Sequence, residues 1–168
     1  MCRAVATKYA NSRDLLTGQG AKTHGGRWNP PGLFCAVYGT LDPYAALAET
    51  VGTYGHYSIP FEQRLPLVLV GFAVQLQHVL DLTSGTMRQH LGVSEERMLA
   101  SDWQAAQAKG GEALTQAIGR LAWETEIETL LVSSSRLKKE RNLVIFPDRL
   151  RMSSRLKIVN RKELSEPR

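Results

Sequence analysis

Cysteine is scarce in this sequence. Cys2 and Cys35 are the only two, with no Cys-x-x-Cys pair and no histidine at ligand spacing beside them. That excludes a disulfide framework and a cysteine-based zinc site, and it fits a reducing interior. Long apolar runs are missing as well. None approaches the roughly 18 residues a membrane span needs, and the opening Met-Cys-Arg-Ala-Val-Ala-Thr-Lys has no apolar leader core. The expectation is a cytoplasmic protein with no membrane contact. His24, His56, His78 and His90 fall into no metal-ligand spacing, and neither a G-x-x-x-x-G-K-[ST] loop nor a G-x-G-x-x-G fingerprint occurs. No G-x-S-x-G elbow surrounds Ser133, Ser134 or Ser135. Metalloprotease, P-loop, Rossmann and serine-hydrolase readings fall away. There is no internal repeat and no low-complexity tract.

The 168 residues make one domain spanning 1–168, with 43% hydrophobic and 22% charged residues, ordinary values for a folded protein that builds its own core. The net charge of +5 is uneven. From Arg136 onward there are eleven Lys/Arg against four Asp/Glu, whereas residues 1–135 hold ten against twelve. Such an end could attract nucleic acid, a phosphorylated small molecule or an acidic partner. Because strand-like runs interrupt it (Leu143 to Phe146, Leu156 to Val159), a positively charged rim on a folded sheet is the preferred reading.

Phe34 to Tyr38, Pro66 to Val74, Val79 to Leu82, Thr129 to Ser133, Leu143 to Phe146 and Leu156 to Val159 read as strands. Asp42-Pro43 reads as an N-cap with proline in the first turn of a helix through Tyr44 to Thr50. On that helix Tyr44, Leu47, Ala48 and Val51 lie at core-face spacing, which leaves Glu49 just off the stripe. Ser84 to Leu91, Ser94 to Ala100 and Glu112 to Glu124 are helical in character. Strands, then helices, then strands, without regular alternation, point to α+β.

The densest chemistry lies in His24-Gly-Gly-Arg-Trp-Asn-Pro-Pro-Gly32, followed at two equal gaps of eleven by Tyr38 and Glu49. Gly25-Gly26 lets the backbone approach a ligand closely. Arg27 then supplies a planar cation suited to phosphate or carboxylate, and Asn29-Pro30-Pro31-Gly32 is turn chemistry. Arg27 could be a solvated loop arginine, but its neighbours favour a ligand contact. Trp28 reads equally as core anchor and as ligand wall. Tyr38, at a strand end, offers a flat ring with a polar tip. Glu49 stands among Ala45, Ala46, Leu47 and Ala48, where a lone carboxylate either finds a partner or has a task.

These residues resemble a known family, the RES domain, named for its Arg, Glu and Ser. The resemblance runs along nearly the whole chain: Arg3-Ala-Val, Tyr9-Ala, Gly20-Ala21, Gly25-Gly26-Arg27-Trp28-Asn29, Gly32, Val37-Tyr38 and Ala48-Glu49. It continues with Leu130-Leu131-Val132-Ser133-Ser134, then Arg141-Asn142-Leu143-Val144 through to Asp148. Two departures stand out. Ser133 replaces the family's usual proline, leaving the site serine open among Ser133, Ser134 and Ser135, and Cys2 replaces an aromatic.

The resemblance implies a fold like that of ADP-ribosyltransferase toxins: mixed, mainly antiparallel sheets with flanking helices around an NAD-binding cleft. It implies a toxin of a type II toxin–antitoxin system that cleaves NAD, its substrate, at the nicotinamide–ribose bond by phosphate or water. An Xre-family antitoxin would cover the active site, and a homodimer within that complex is admitted. By position, Arg27, Tyr38, Glu49 and Ser134 are the catalytic candidates. Arg3, Gly26, Trp28 and Asn142 would join Arg27 and Tyr38 in holding NAD. No metal is implied. A mono-ADP-ribosyltransferase with a protein target, and a basic nucleic-acid-binding module, are the competing readings.

Overall fold

A computed structural model describes residues 1–56, 65–159 and 164, with the side chains of 51–56 excepted. Its strands are β1 (Cys2–Ala6), β2 (Val37–Thr40), β3 (Leu67–Gln75), β4 (Val79–Asp81), β5 (Thr129–Ser133), β6 (Arg141–Ile145) and β7 (Arg155–Ile158). They form one seven-stranded sheet in the order β4-β5-β6-β2-β1-β3-β7. Every neighbouring pair is antiparallel except β4 and β5 at one edge. The helices are α1 (Ser12–Thr17), α2 (Gln19–His24), α3 (Pro43–His56), α4 (Gly85–His90), α5 (Glu95–Leu99), α6 (Trp103–Ala108) and α7 (Leu114–Glu124). The expected α+β, mainly antiparallel architecture is what forms.

α3 starts where the sequence predicts: Asp42 Oδ1 accepts from the Ala45 N–H at 2.8 Å, and Pro43 occupies the first turn. Its buried face is a correction. Tyr44 is 81% exposed and Leu47 41%, whereas Ala45 and Ala46 are buried. The inward stripe is made of small residues because α3 lies close on the sheet, where Thr50 Oγ1 donates to the Ala4 carbonyl at 2.9 Å. A tyrosine or leucine on that face would hold the helix away. The Val51 side chain lies outside the described residues.

The main core lies over β5, β6 and β2. Trp28, Phe34, Leu82, Met98, Leu130, Val132, Val144 and Phe146 pack there. Phe34 stacks on Trp123 at 5.1 Å and meets Phe146 edge-on at 5.3 Å. Phe34 to Ala36 thus supply core contacts ahead of the strand proper, which begins at Val37. A second cluster, including Val5, Leu15, Val70 and Phe72, packs over β1 and β3. At the β7 edge, exposed Arg155 and Lys157 alternate with half-buried Leu156 and Ile158, a charged pattern that discourages pairing with another chain.

Glu128 ties the far end of the sheet. It is fully buried. One oxygen accepts from the N–H groups of Gln77 (2.6 Å) and His78 (3.1 Å), and the other from Arg151 N–H and Ser154 Oγ, both at 2.6 Å. Burial alone would raise its pKa, but bonds from Ser154 and the three backbone donors outweigh that and hold it at about 2.

Candidate functional site

The Gly-Gly-Arg-Trp loop is a tight turn. Gly26 and Asn29 exchange backbone hydrogen bonds, Gly26 N–H to Asn29 O at 2.9 Å and Asn29 N–H to Gly26 O at 3.4 Å, which pushes Arg27 to the tip. Tyr38 holds this turn from β2. Its hydroxyl accepts from Trp28 N–H at 3.0 Å and donates to Asn29 Oδ1 at 2.6 Å. Gly26 is glycine for a steric reason: a Cβ there would stand 2.6 Å from the Tyr38 hydroxyl and 2.8 Å from Asn29 Oδ1. Burial pushes the Tyr38 phenol well above its ordinary range, against the lowering effect of the Trp28 N–H and the charges of Arg3 and Arg27. Tyr38 is therefore a neutral hydroxyl that positions the loop.

Trp28 is 4% exposed and belongs to the main core, so its side chain serves as the anchor while its N–H serves Tyr38. Behind the turn, Gln116 Nε2 donates to the Gly26 carbonyl at 3.1 Å, and Gln107 Nε2 to the His24 carbonyl at 2.9 Å. Sequence reasoning missed both glutamines. A trace of signal existed in a polar Gln116 on the same helix face as Gly119.

Arg27 Nη2 donates to the Met98 and Leu99 carbonyls at the end of α5, both at 2.7 Å. Burial lowers its pKa from the ordinary value. The charge of Glu49 opposes that shift and the charge of Arg136 adds to it. The guanidinium nonetheless stays cationic. With both Nη2 protons committed to α5, the two-pronged fork expected from the sequence is reduced to donors on Nη1 and Nε.

Glu49 is the centre of a second cluster. Its Oε1 accepts from Ser134 Oγ at 2.6 Å and from Asn142 Nδ2 at 3.0 Å. The buried Ser134 hydroxyl accepts in turn from the N–H groups of Arg136 and Leu137, both at 3.1 Å. Of the three serines, Ser134 bonds to Glu49, whereas Ser133 donates to Glu95 and Ser135 is exposed. The sheet register explains the meeting: Asn142 pairs with Thr40 on one side and Val132 on the other, next to the strand end that carries Ser134. Asn142 Oδ1 is buried without a hydrogen-bond partner among the described residues. Arg3 lies on β1, paired with Val70, and contributes positive charge toward Tyr38.

The four residues singled out as catalytic candidates thus occupy one region: Arg27 and Tyr38 at a braced turn, Glu49 on α3, and Ser134 just past the end of β5. A fixed carboxylate beside a fixed cation suits a ligand that carries phosphate at one end and develops positive charge at the other.

The RES domain family model matches residues 1–164. The chain belongs to the RES domain family. Among individual proteins it is similar to the NAD(+) phosphorylase MbcT of Mycobacterium tuberculosis and of Mycobacterium bovis. Identity is 30% over 125 residues, covering 73% of this chain and 62% of each relative, so the chain spans less than two thirds of their length. Its fold is similar to that in the crystal structure of the M. tuberculosis MbcT-MbcA toxin-antitoxin complex, with a TM-score of 0.73 and 27% identity over 95% of this chain and 80% of that one. Among the described residues no helix is long and apolar enough to cross a membrane, and no cluster of three or more His, Cys, Asp or Glu side chains could hold a metal ion.

Proposed function

We propose that this chain cleaves NAD at the nicotinamide–ribose bond, with phosphate or water as acceptor. The observation that carries the reading is Glu49, held by Ser134 and Asn142 in the same region as Arg27. The similarity to proteins named NAD(+) phosphorylase MbcT supports it.

When the bond breaks, its electron pair goes to the nicotinamide ring nitrogen, neutralising the ring, and positive charge develops on the ribose. Glu49 stabilises that charge, because a preorganised carboxylate requires no reorganisation as the charge appears. Ser134 and Asn142 keep Glu49 in place, and Arg27 offers charge and N–H donors to the pyrophosphate. An oxygen of phosphate, or of water, then forms the new bond to the anomeric carbon, and an attacking water gives up a proton to solvent as it does so. Phosphate gives ADP-ribose phosphate and water gives ADP-ribose, nicotinamide leaving in both cases.

The proposed setting is a cytoplasmic toxin restrained by an Xre-family antitoxin that covers the cleft, with a homodimer inside that complex. The solved toxin-antitoxin neighbour supports a protein partner. The test is incubation of purified protein with NAD, with and without phosphate, with products identified by mass. Release of nicotinamide with ADP-ribose phosphate, dependent on added phosphate, is expected. Intact NAD in both arms would overturn the reading, and ADP-ribose attached to a protein would move it to the transferase alternative.

A further inference from the structure

One carboxylate beside this site has no part in the reaction as drawn. Glu95 opens α5, and its Oε1 accepts a hydrogen bond from Ser133, the neighbour of Ser134. Its Oε2 lies 3.6 Å from Arg88 Nη2. Arg88 is itself fixed, with Nη1 donating to the carbonyls of Leu82 at 2.9 Å and Thr83 at 2.8 Å. The other end of α5 presents the Met98 and Leu99 carbonyls to Arg27. One five-residue helix therefore joins the strand end beside the Glu49 cluster to the guanidinium of Arg27.

The chemistry of the join is specific. Nη2 is common to both forks of a guanidinium, and here it is spent on α5, so Nη1 and Nε are what remain for a ligand. Where the two carbonyls stand decides which N–H groups point at a phosphate, and the position of the carbonyls depends on how α5 is tied at its start.

We propose that Glu95 is a positioning residue for Arg27: tied to Ser133 and Arg88, it sets the place of α5 and through it the donors Arg27 shows to a phosphate-bearing substrate. The proposal rests on the reading of Arg27 as a phosphate contact. Glu95 touches no substrate, so its loss should weaken binding and spare the bond-breaking step. The Ser133 hydroxyl belongs to the same tie, and removing it should act in the same direction.

Steady-state kinetics with NAD on the wild type, Glu95→Ala, Ser133→Ala, Arg27→Ala and the Arg27→Ala/Glu95→Ala double variant test this. Glu95→Ala should raise KM about 5-fold, with kcat within about 2-fold of wild type, and Ser133→Ala should raise KM less. In the Arg27→Ala background the Glu95 change should move KM by less than about 1.5-fold, since a residue acting through another has no effect once that other is gone. A purely structural role would multiply the two effects. As a readout independent of turnover, Arg27 modification by phenylglyoxal, followed by peptide mass, should quicken in Glu95→Ala. A wild-type KM in Glu95→Ala, a fall confined to kcat, multiplying effects, or an unchanged modification rate would each overturn the proposal. A wild type that leaves NAD intact would fell the functional reading instead, and the modification rates would still decide the role of Glu95.

Discussion

Glu49 and Arg27 face different demands during the proposed reaction, and their variants should separate accordingly. The charge that Glu49 stabilises exists only as the glycosidic bond breaks. Glu49→Gln keeps the shape and can still accept from Ser134 and Asn142, so the fold should hold while kcat falls about 10²-fold or more. A folded variant with near-wild-type kcat would make Glu49 a structural acceptor only. Phosphates are charged in substrate and transition state alike, so Arg27→Ala should raise KM more than it lowers kcat. Arg27→Lys should rescue part of that loss: an ammonium can serve the α5 carbonyls or a phosphate but cannot reproduce the planar array that serves both. A kcat effect alone for Arg27→Ala would place the arginine at the reacting centre.

At the scale of elements, the site depends on close approaches that only small residues allow. α3 brings Glu49 to the sheet because Ala45 and Ala46 face inward. α7 supports the arginine loop at Gly119, where a Cβ would stand 1.8 Å from the Trp28 carbonyl oxygen. Nothing at that point is a flexible side-chain tip, so Gly119→Ala must displace the helix or the loop. A loss of about 1–3 kcal/mol is expected, as for other overpacked interiors. Because Trp28 N–H also bonds to Tyr38, the KM for NAD should rise with it. Denaturant unfolding checks the first part, and a variant as stable as the wild type would show that the contact yields freely.

Across the whole molecule, acid should act through Glu128. Its pKa is about 2 in the fold, below the ordinary 4.5 of an unfolded glutamate. The unfolded chain takes up the proton first as pH falls, so the contribution is complete above about pH 4.5 and is lost as pH falls toward 2. Glu128→Gln should be less stable at pH 6, with the gap to wild type narrowing by pH 3, read from urea midpoints at the two values. An equal gap at both would assign the destabilisation to lost shape instead of charge. The basic surplus after Arg136 also acts at this scale, placing exposed Arg136, Lys138 and Lys139 in the loop that follows Ser134.

The α+β class and the family were legible in the chain, because each leaves a local mark: turn glycines before Arg27, a capped helix start at Asp42-Pro43, apolar runs at β3 and β5. It hid β1, whose Cys-Arg-Ala-Val-Ala carries little alternation though the strand lies inside the sheet, and it hid α1, α2 and α6. It also misplaced the inner face of α3, since apolar spacing marks large residues while close packing there selects alanine. Long-range packing settles which serine meets Glu49, that Tyr38 spends its hydroxyl on bracing the turn, and that α5 holds Arg27. Those are contacts between segments far apart in the chain, such as Glu49 with Asn142 or Arg27 with Leu99. Strand register and the direction of individual N–H groups fix them, and neither is written in local spacing.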